Sequence, residues 1–421
     1  PALDDAGISW IVGHDAAHLA GVDRVAITPA LRAVASHAEL EEVYERGIPV
    51  ATWQALLGEL MSTPGRIGIG VTGTHGKSTT TALLGHLLVE AGLDPTVEVG
   101  AYIGAWGASV RAGSGVPFVV EADEFGDNFL NYHPAGAIVT NVEMDHPDYF
   151  PDRAAVMSSF DRFVRGMGTH PALNGRLLLA CATDPGATEL VAGLRGWEGR
   201  VVRYGAGGEI AATDVALGAE QTSFTLFGHR WEMTLAGEHN VLNATAALIM
   251  ARSLGAPIER LDEGLRTFAG AGRRMELIAD TATVTIYDDY GHHPTEVRAA
   301  LAATRQKVGS DRRLWAVFEP HMYSRTTLLM DEFATAFADA DEVVIADIFA
   351  SRDTPEAMAA TSAEDLADEI ERASGIPTIA TGDADATTSY VADHVTPGDA
   401  ILVMGAGKSY RIARGLAERL A

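Results

Sequence analysis

The stretch Ile67-Gly-Ile-Gly-Val-Thr-Gly-Thr-His-Gly-Lys-Ser-Thr-Thr-Thr81 is the part of the sequence that decides the fold. Its β-branched residues predict a short strand, its glycines a tight turn, and its last residues the start of a helix. A turn of this kind gathers backbone N–H groups at a helix N-terminus, where the helix dipole also favours negative charge. The stretch therefore predicts a phosphate-binding loop in an ATP-binding domain.

One lysine, Lys77, lies in this loop and is expected to neutralise phosphate oxygens, while the Ser78 hydroxyl is expected to bind Mg²⁺. Val71 stands where the standard pattern has its first glycine, so a glycine-rich turn without a nucleotide is the competing interpretation. The Lys-Ser-Thr-Thr-Thr continuation favours the nucleotide. The predicted ATP contacts in the loop are Gly73, Thr74, His75, Gly76, Lys77, Ser78 and Thr79.

The length and composition indicate a globular protein and exclude several other classes. A chain of 421 residues is too long for one ordinary core, and its 47% hydrophobic residues and 44 glycines are typical of a globular α/β protein with two or three domains. No apolar run approaches the ~20 residues of a membrane span. The net charge of −26 argues against a nucleic-acid-binding surface. A single cysteine, Cys181, rules out an internal disulfide and fits a cytoplasmic location.

Alternating strand and helix patterns divide the chain into three predicted domains. In the first, Ile8–Val12 and Arg24–Thr28 are predicted as short buried strands and Ala35–Arg46 as a helix. Because the chain starts at Pro1 rather than at a methionine, we expect this domain to be incomplete. The predicted domains are 1–62, 63–271 and 272–421, and the last is expected to be a doubly wound sheet.

Two acidic clusters follow predicted buried strands in the central domain. Glu121-Ala-Asp-Glu124 ends the first strand, and Glu143-Met-Asp-His146 follows the second. Because the carboxyl ends of parallel strands hold the ligands of such sheets, Glu121 is expected to reach the metal of Ser78. His146 is expected to serve a second metal or the substrate. A solvated acidic turn and a satisfied surface histidine are the competing interpretations.

A third motif, Gly237-Glu-His-Asn-Val-Leu-Asn243, carries two asparagines. Asn240 and Asn243 are three residues apart and therefore share one face of a helical turn. Their amides are candidates for adenine and ribose contacts, with helix capping as the alternative.

The predicted C-terminal sheet carries two polar clusters, Asp288–Glu296 and Phe318–Arg325, beyond adjacent strand ends. This placement suggests one ligand crevice. His292 and His293 are adjacent and would point apart on an extended segment, so the pair is a weak indication of a transition-metal site.

Together these motifs resemble those of the Mur ligases, the ATP-dependent amide-forming enzymes of peptidoglycan precursor synthesis. The resemblance implies an α/β fold of three domains: a Rossmann-like N-terminal remnant that binds the UDP-sugar, a central P-loop ATPase domain and a doubly wound C-terminal domain that binds the amino acid. It spans nearly the whole chain in the family's order. The motifs that carry it are Thr72–Thr81, Glu121–Glu124, Glu143–His146, Gly237–Asn243, Arg273–Arg274 and Asp288–Pro294.

Within the family, the alanine-adding branch is the best match. The resemblance thus implies ATP and Mg²⁺ as cofactors, UDP-N-acetylmuramate and L-alanine as substrates, and a monomer or homodimer. The implied catalytic residues are Lys77 on the phosphates, Ser78 and Glu121 on Mg²⁺, His146 on a second metal ion, and Arg274 and Asp289 at the nucleotide, with Asn240 and Asn243 flanking the adenine. The implied substrate contacts are Gly13 and His14 for the UDP-sugar, and His292, His293, His321, Tyr323 and Arg325 for alanine.

The positions of the lysines provide a separate test of this branch. Several relatives hold their second metal with a carbamylated lysine in the central domain, whereas this chain has no lysine between Lys77 and Lys307. The alanine-adding branch does without that lysine. Two alternatives stay open: a peptidoglycan-recycling ligase that attaches a tripeptide to the same sugar nucleotide, and a non-catalytic ATP-binding regulator.

Overall fold

The computed structural model describes residue 4, residues 7–29, residue 31, and residues 37–281 and 283–420. Contacts between Cα atoms divide the chain after residue 64 into two compact units. Helices and mostly parallel strands make up both units, which confirms the predicted α/β class. No helix within the described residues is long and apolar enough to cross a membrane.

The first unit contains a small parallel sheet and its helices. Its core is formed by three buried apolar side chains, Leu19, Val43 and Ile48. The elements are the 3₁₀ turn Ala16–Leu19, β1 (Val25–Ile27), the helix Ala38–Glu45, β2 (Val50–Thr52) and the helix Trp53–Met61. β1 and β2 pair in parallel.

Two predictions for this unit need correction. Ile8–Val12 is not a strand, because no described strand pairs with it and its large apolar side chains are exposed, Val12 by 84%. An apolar run forms a strand only where a neighbour satisfies its backbone hydrogen bonds. The predicted helix begins at Ala38 among the described residues, and Ala35 lies outside them.

The first sheet of the second unit has seven strands. They are β3 (Ile67–Thr72), β4 (Thr96–Ile103), β5 (Ala108–Arg111), β6 (Pro117–Glu121), β7 (Gly136–Val139), β8 (Leu177–Cys181) and β9 (Arg200–Tyr204). Their order is β5-β4-β6-β3-β7-β8-β9, and only β4 and β5 pair antiparallel. β3 lies between β6 and β7, so the phosphate loop and the ends of the two acidic-cluster strands share one edge of the sheet.

Helices cover this sheet on both sides, and a small antiparallel sheet adjoins it. The helices are Lys77–Glu90, Arg153–Arg165, Pro185–Gly193, Glu238–Ser253 and Ile258–Thr267, with 3₁₀ turns at Phe125–Asn131 and Pro171–Leu173. The antiparallel strands are β10 (Thr213–Leu217), β11 (Thr222–Leu226) and β12 (His229–Met233). Leu83, Leu84 and Leu87 of the helix after the phosphate loop are fully buried in the largest core cluster and anchor the loop.

The second sheet of this unit has six strands. They are β13 (Glu276–Asp280), β14 (Val284–Asp289), β15 (Leu314–Phe318), β16 (Glu342–Ala346), β17 (Thr378–Gly382) and β18 (Asp399–Met404), in the order β13-β14-β18-β15-β16-β17. Only β13 runs antiparallel to its neighbour. Strands of this sheet were predicted at Val284–Asp288, Leu314–Phe318, Glu342–Ala346 and Ala400–Met404, and all four are confirmed as β14, β15, β16 and β18. The edge strands β13 and β17 were not predicted. The helices are Pro294–Val308, Tyr323–Leu328, Met330–Ala334, Pro355–Met358, Ala363–Ser374, Ala384–His394 and Tyr410–Leu420.

Candidate active site

The phosphate loop turns tightly between β3 and the helix that follows. Gly76, the last residue before the helix, has φ +79°, a left-handed value that glycine adopts without strain. A Cβ on Gly73 would lie 2.0 Å from the Thr140 hydroxyl, so glycine is required there as well. The Asn141 side chain secures the loop from the end of β7, because its Oδ1 accepts a hydrogen bond from the His75 backbone N–H at 2.7 Å. The loop is therefore held in shape by its own neighbours in the sheet.

Lys77 reaches back over the loop. Its Nζ donates hydrogen bonds to the Gly73 carbonyl at 2.7 Å and to Oε2 of Glu124 at 2.9 Å. Burial lowers the pKa of Lys77, but the carboxylates of Glu124 and Asp123 outweigh that effect and hold the pKa above its ordinary value. Lys77 is thus a fixed cation. Its partner Glu124 is only 2% exposed and was not among the predicted site residues.

Oxygen donors of the kind that Mg²⁺ prefers lie beside the loop. Ser78 Oγ donates a hydrogen bond to Glu121 Oε1 at 3.0 Å, so the two residues predicted to share a cation are in contact. Asp123, Glu124 and His146 form a second group, in which each residue offers one ligand atom and the three atoms lie within 4.8 Å of one another. The sequence prediction contained His146 and missed its two carboxylates. Both carboxylates belong to the Glu121-Ala-Asp-Glu124 motif, so the sequence did contain a signal that could have identified them.

A cavity of about 270 Å³ opens on one side of the phosphate loop, and we name it the amide cavity after Asn240 and Asn243. Nδ2 of Asn243 donates a hydrogen bond to Oδ1 of Asn240 at 3.0 Å, so the two amides meet on one helical face. Oδ1 of Asn243 lies 2.8 Å from the point where a Cβ on Gly76 would stand, which ties the amides to the loop. Much of the remaining wall is apolar or aromatic and includes Cys181, Tyr204, Leu235, Ala236, Leu242 and Ala271.

Arg274 and Asp289 line the same cavity. Asp289 ends β14 of the second sheet, and Arg274 lies just before its first strand. Asp289 accepts hydrogen bonds from the backbone N–H groups of Met275 at 2.8 Å and Gly291 at 2.7 Å. Burial raises the pKa of Asp289 to about 6, and the nearby Arg274 offsets only part of that rise. Arg274 also lies 3.4 Å from a carboxylate oxygen of Glu296. Both residues predicted at the nucleotide are therefore brought to the amide cavity.

His75 connects the phosphate loop to the helix Pro294–Val308, which follows the second strand of the second sheet. Its Nδ1 lies 3.4 Å from Oε1 of Glu296, and its Nε2 lies 3.7 Å from Oε2 of Glu143. Glu143 also accepts a hydrogen bond from the Thr295 hydroxyl at 2.8 Å. Burial lowers the pKa of His75, but the two carboxylates raise it to about 9 overall. A charged imidazolium thus joins the loop to the start of the helix Pro294–Val308.

A larger cavity of about 730 Å³ opens on the other side of the loop. Side chains of both signs line it, so we name it the charged cavity. Gly76, Arg274 and Glu296 line both cavities, and the two therefore meet at the phosphate loop. The charged side chains in its wall include Lys77, Glu121, Asp123, Asp145, Arg273, Arg325, Arg352 and Arg414.

The five residues predicted around alanine separate into two groups. His292, His321 and Arg325 line the charged cavity. Burial lowers the pKa of His292 to about 3 and that of His321 to about 4, so both rings are neutral at neutral pH. His293 lies instead against the phosphate-loop histidine, with ring centroids 4.4 Å apart, and Tyr323 packs against the hydrophobic core of the second sheet. Neither of these two is among the residues that line the charged cavity.

Arg325 and Asp145 form a buried ion pair between the two sheets of the second unit. Arg325 donates from Nε and Nη2 to Oδ1 of Asp145 at 2.8 and 2.7 Å, and the two side chains are 2% and 5% exposed. Burial raises the pKa of Asp145, but the guanidinium overrides this and holds it well below its ordinary range. The pair was not predicted, because the two residues are far apart in the sequence.

Gly13 and His14 lie in the first unit. Gly13 has φ +95°, and Nδ1 of His14 lies 2.9 Å from Oε2 of Glu39. His18 approaches the other oxygen of the same carboxylate at 2.8 Å. His14 therefore belongs to a polar cluster within that unit, and Gly13 directly precedes it in the chain.

Comparison with known proteins identifies the family that this geometry belongs to. The Mur ligase middle domain family matches residues 71–251, and the Mur ligase, glutamate ligase domain family matches residues 273–407. A UDP-N-acetylmuramate–L-alanine ligase from Mycolicibacterium smegmatis is 39% identical over 96% of this chain and 84% of its own length.

Solved structures agree with this match. The UDP-N-acetylmuramate-alanine ligase of Thermotoga maritima superposes with a TM-score of 0.78 at 24% identity and covers 99% of this chain and 90% of its own. A murein peptide ligase from Psychrobacter arcticus reaches a TM-score of 0.65 at 25% identity, with 100% of this chain and 90% of its own covered. The chain belongs to the Mur ligase family.

Proposed function

We propose that this chain joins L-alanine to the carboxylate of UDP-N-acetylmuramate while it converts ATP to ADP and phosphate. The observation that carries the proposal is the meeting of the amide cavity and the charged cavity at the phosphate loop. A nucleotide with its base beside Asn240 and Asn243 would direct its terminal phosphate toward the charged cavity. The carboxylate of UDP-N-acetylmuramate would bind in that cavity. The name of the Mycolicibacterium relative supports the same pair of substrates.

The reaction consists of two displacements. A carboxylate oxygen of the muramoyl group attacks the γ-phosphorus, the bond to ADP breaks, and an acyl phosphate forms. The alanine ammonium loses a proton, and its nitrogen then attacks the acyl carbon and expels phosphate. Because the first step brings two anions together, fixed positive charge at the phosphate is the main requirement. Lys77 supplies that charge from its position over the loop.

The donors beside the loop fit Mg²⁺, because most of them are oxygen atoms of carboxylates and a hydroxyl. We assign Ser78 and Glu121 to one ion and His146 to a second, together with Asp123 and Glu124. Bound Mg²⁺ would supply charge neutralisation on the phosphate oxygens. The assigned nucleotide contacts are the loop residues Gly73, Thr74, His75, Gly76, Lys77, Ser78 and Thr79, with Asn240, Asn243, Arg274 and Asp289. All of them except Gly73 line one of the two cavities.

We assign the alanine to the part of the charged cavity formed by His292, His321 and Arg325. The neutral imidazole of His292 is able to accept a hydrogen bond from the alanine ammonium at Nε2, because its Nδ1 donates to the Tyr290 carbonyl at 3.1 Å. Nδ1 of His321 accepts from Nη1 of Arg325 at 3.1 Å, so its Nε2 carries the proton and is able to donate to the alanine carboxylate. Arg325 donates from Nη1 to the His321 carbonyl at 3.1 Å and so positions that residue. His293 and Tyr323 act as neighbours of this group.

The remaining assignments follow from membership of the family. Gly13 and His14 are assigned to the UDP-sugar, and the domains to 1–62, 63–271 and 272–421. We further assign a cytoplasmic location and a monomer or homodimer.

A phosphate-release assay tests the proposal. The chain is incubated with ATP, Mg²⁺ and UDP-N-acetylmuramate, and with L-alanine, L-serine, glycine or a tripeptide in turn. We expect phosphate release that requires both the sugar nucleotide and L-alanine. ATP binding without release under any pairing would contradict the ligase proposal and favour a regulator.

A second candidate is the recycling ligase that attaches a tripeptide. Its support is the likeness to the murein peptide ligase of Psychrobacter arcticus, which is 25% identical to this chain. The relative of the alanine-adding type is 39% identical, so we place alanine first. Release with the tripeptide and not with L-alanine would reverse that order.

A further inference from the structure

The first unit contains three histidines around one glutamate. The two carboxylate oxygens of Glu39 lie 2.9 Å from Nδ1 of His14 and 2.8 Å from Nδ1 of His18. The ring of His37 packs on that of His14, with centroids 4.3 Å apart. His14, His37 and Glu39 each offer a ligand atom, and the three atoms lie within 4.8 Å of one another. Two imidazole rings thus share one carboxylate, and a third ring lies beside them.

His37 is the residue that this arrangement leaves unsatisfied. Both of its ring nitrogens are buried and have no hydrogen-bond partner in the described part of the chain. It occupies the N-cap position of the helix Ala38–Glu45, yet its side chain makes no capping hydrogen bond. Buried polar atoms are almost always paired, because an unpaired one costs free energy. Within the described residues, the ring nitrogens of His37 are therefore available to bind a ligand atom or an ion.

We propose that His14, His37 and Glu39 bind a transition-metal ion of the zinc class, with His18 holding Glu39 in place through its other oxygen. Imidazole nitrogen and carboxylate oxygen are ordinary zinc ligands, at about 2.0–2.2 Å from the ion. Tetrahedral ligands at that distance lie roughly 3.3–3.5 Å apart. The His14–Glu39 contact of 2.9 Å would open by only a few tenths of an ångström.

The donor set separates this site from the cation site beside the phosphate loop. Two of its three ligands are nitrogen atoms, which Mg²⁺ disfavours and zinc-class ions prefer. It lies in the first unit, whereas Asp123, Glu124 and His146 lie in the second.

A metal ion at this site would have two effects. It would cross-link the segment of His14 to the start of the helix Ala38–Glu45 and so stabilise the first unit against unfolding. It would also engage His14, which the proposed function assigns to the UDP-sugar, and zinc would then inhibit competitively with that substrate. Only this second effect rests on the proposed function.

Equilibrium dialysis of the full chain against Zn²⁺ in excess Mg²⁺, with metal content measured afterwards, tests the site directly. His37→Gln is the test variant, and His394→Gln, at an exposed histidine in the second unit, is the matched control. We expect the wild type and His394→Gln to retain one equivalent more than His37→Gln. Equal zinc content in all three proteins would overturn the proposal.

Three further measurements keep the test decisive. Circular dichroism in the presence of a chelator checks that His37→Gln is folded; if it is not, Glu39→Gln is tested in its place. Co²⁺ added to the wild type should give the intense visible absorption of a four-coordinate site, and His37→Gln should lose it; equal absorption in both proteins would contradict the assignment, because His75, Glu143 and His293 in the second unit offer the same donor types. Ligase activity of His37→Gln without zinc should equal that of the wild type, with zinc inhibition lost; if the chain is not a ligase, zinc content still decides the site.

Discussion

The two cavities that meet at the phosphate loop are built from different chemistry. The amide cavity combines buried side-chain amides with aliphatic and aromatic walls, whereas the charged cavity is lined by both acidic and basic side chains. A wall of the first kind holds an uncharged planar group through hydrogen bonds and apolar contact. A wall of the second kind stabilises charge that moves during a reaction. Binding and chemistry are therefore assigned to opposite sides of one loop.

The difference extends to how each cavity is held in shape. Asn240 and Asn243 are rigid because they lie on one helix and bond to each other. The charged cavity depends on pairs from two sheets, above all Arg325 with Asp145. Variants in the charged cavity should therefore affect both stability and rate, while variants among the amides should affect nucleotide affinity.

The largest effect is expected from Arg325→Ala. Removing the guanidinium leaves the buried carboxylate of Asp145 without its partner, which typically costs about 3–5 kcal/mol. The denaturant midpoint should fall accordingly. Arg352→Ala provides the matched control, because its pair with Asp148 also joins the two sheets but leaves the arginine side chain 49% exposed, and an exposed pair contributes about 0–1 kcal/mol.

Part of the Arg325→Ala loss should return when Asp145→Asn is added, since the uncompensated charge is then removed. Equal losses for Arg325→Ala and Arg352→Ala would show that burial of the first pair has no energetic consequence, and the proposed dependence of the charged cavity on it would fail.

Lys77→Ala should lower kcat by about 10²–10³-fold, as expected for the loss of one fixed positive donor at the transferred group. Steady-state phosphate release measures the change. Lys408→Ala is the control, because that exposed lysine lines neither cavity. A rise in KM for ATP at unchanged kcat would instead show that Lys77 contributes to nucleotide binding and not to the reaction step.

His75 predicts a pH dependence of stability. Its pKa is raised from 6.5 to about 9, so its ion pairs stabilise the folded chain fully below pH 6.5 and are lost as the pH rises through about 9. The contribution is on the order of 1–3 kcal/mol. Denaturant midpoints measured between these limits should fall with pH more steeply for the wild type than for His75→Gln. Parallel curves would mean that His75 is neutral in the folded chain.

Asn243→Ala should have the smallest effect. Loss of one amide from the amide cavity is expected to raise KM for ATP by about tenfold, which corresponds to about 1.4 kcal/mol, with kcat nearly unchanged. Cys181→Ser, in the same wall, is the control for general disturbance. If kcat fell and KM did not change, the division between a binding cavity and a reaction cavity would be wrong.

Local features of this site were predictable because their causes are local. The phosphate loop needs only a strand, two glycines and a helix start within a short stretch, and the sequence contains all three. The pairing of Asn240 and Asn243 follows from helical spacing alone. Strands with continuous apolar runs, such as β14 and β18, were predicted for the same reason: both their faces are buried.

Contacts between distant segments were not predictable. The partners of Lys77 and Arg325 depend on how strands far apart in the sequence are ordered, and no local pattern encodes that order. The edge strands β13 and β17 are partly exposed, so they lack the apolar run that identified their neighbours. Ile8–Val12 has such a run but no described strand beside it, and the prediction failed there.

The pairing of Lys77 with Glu124 makes nucleotide binding an exchange. Under the proposed function, a triphosphate that contacts Lys77 competes with the Glu124 carboxylate for it, so the measured affinity reflects the difference between these two interactions. A weaker interaction between Glu124 and Lys77 would therefore tighten ATP binding without adding any contact to the nucleotide. Oε1 of Glu124 also lies 3.9 Å from Nε2 of His146, so a Glu124 carboxylate displaced from Lys77 would stay within the neighbouring donor group.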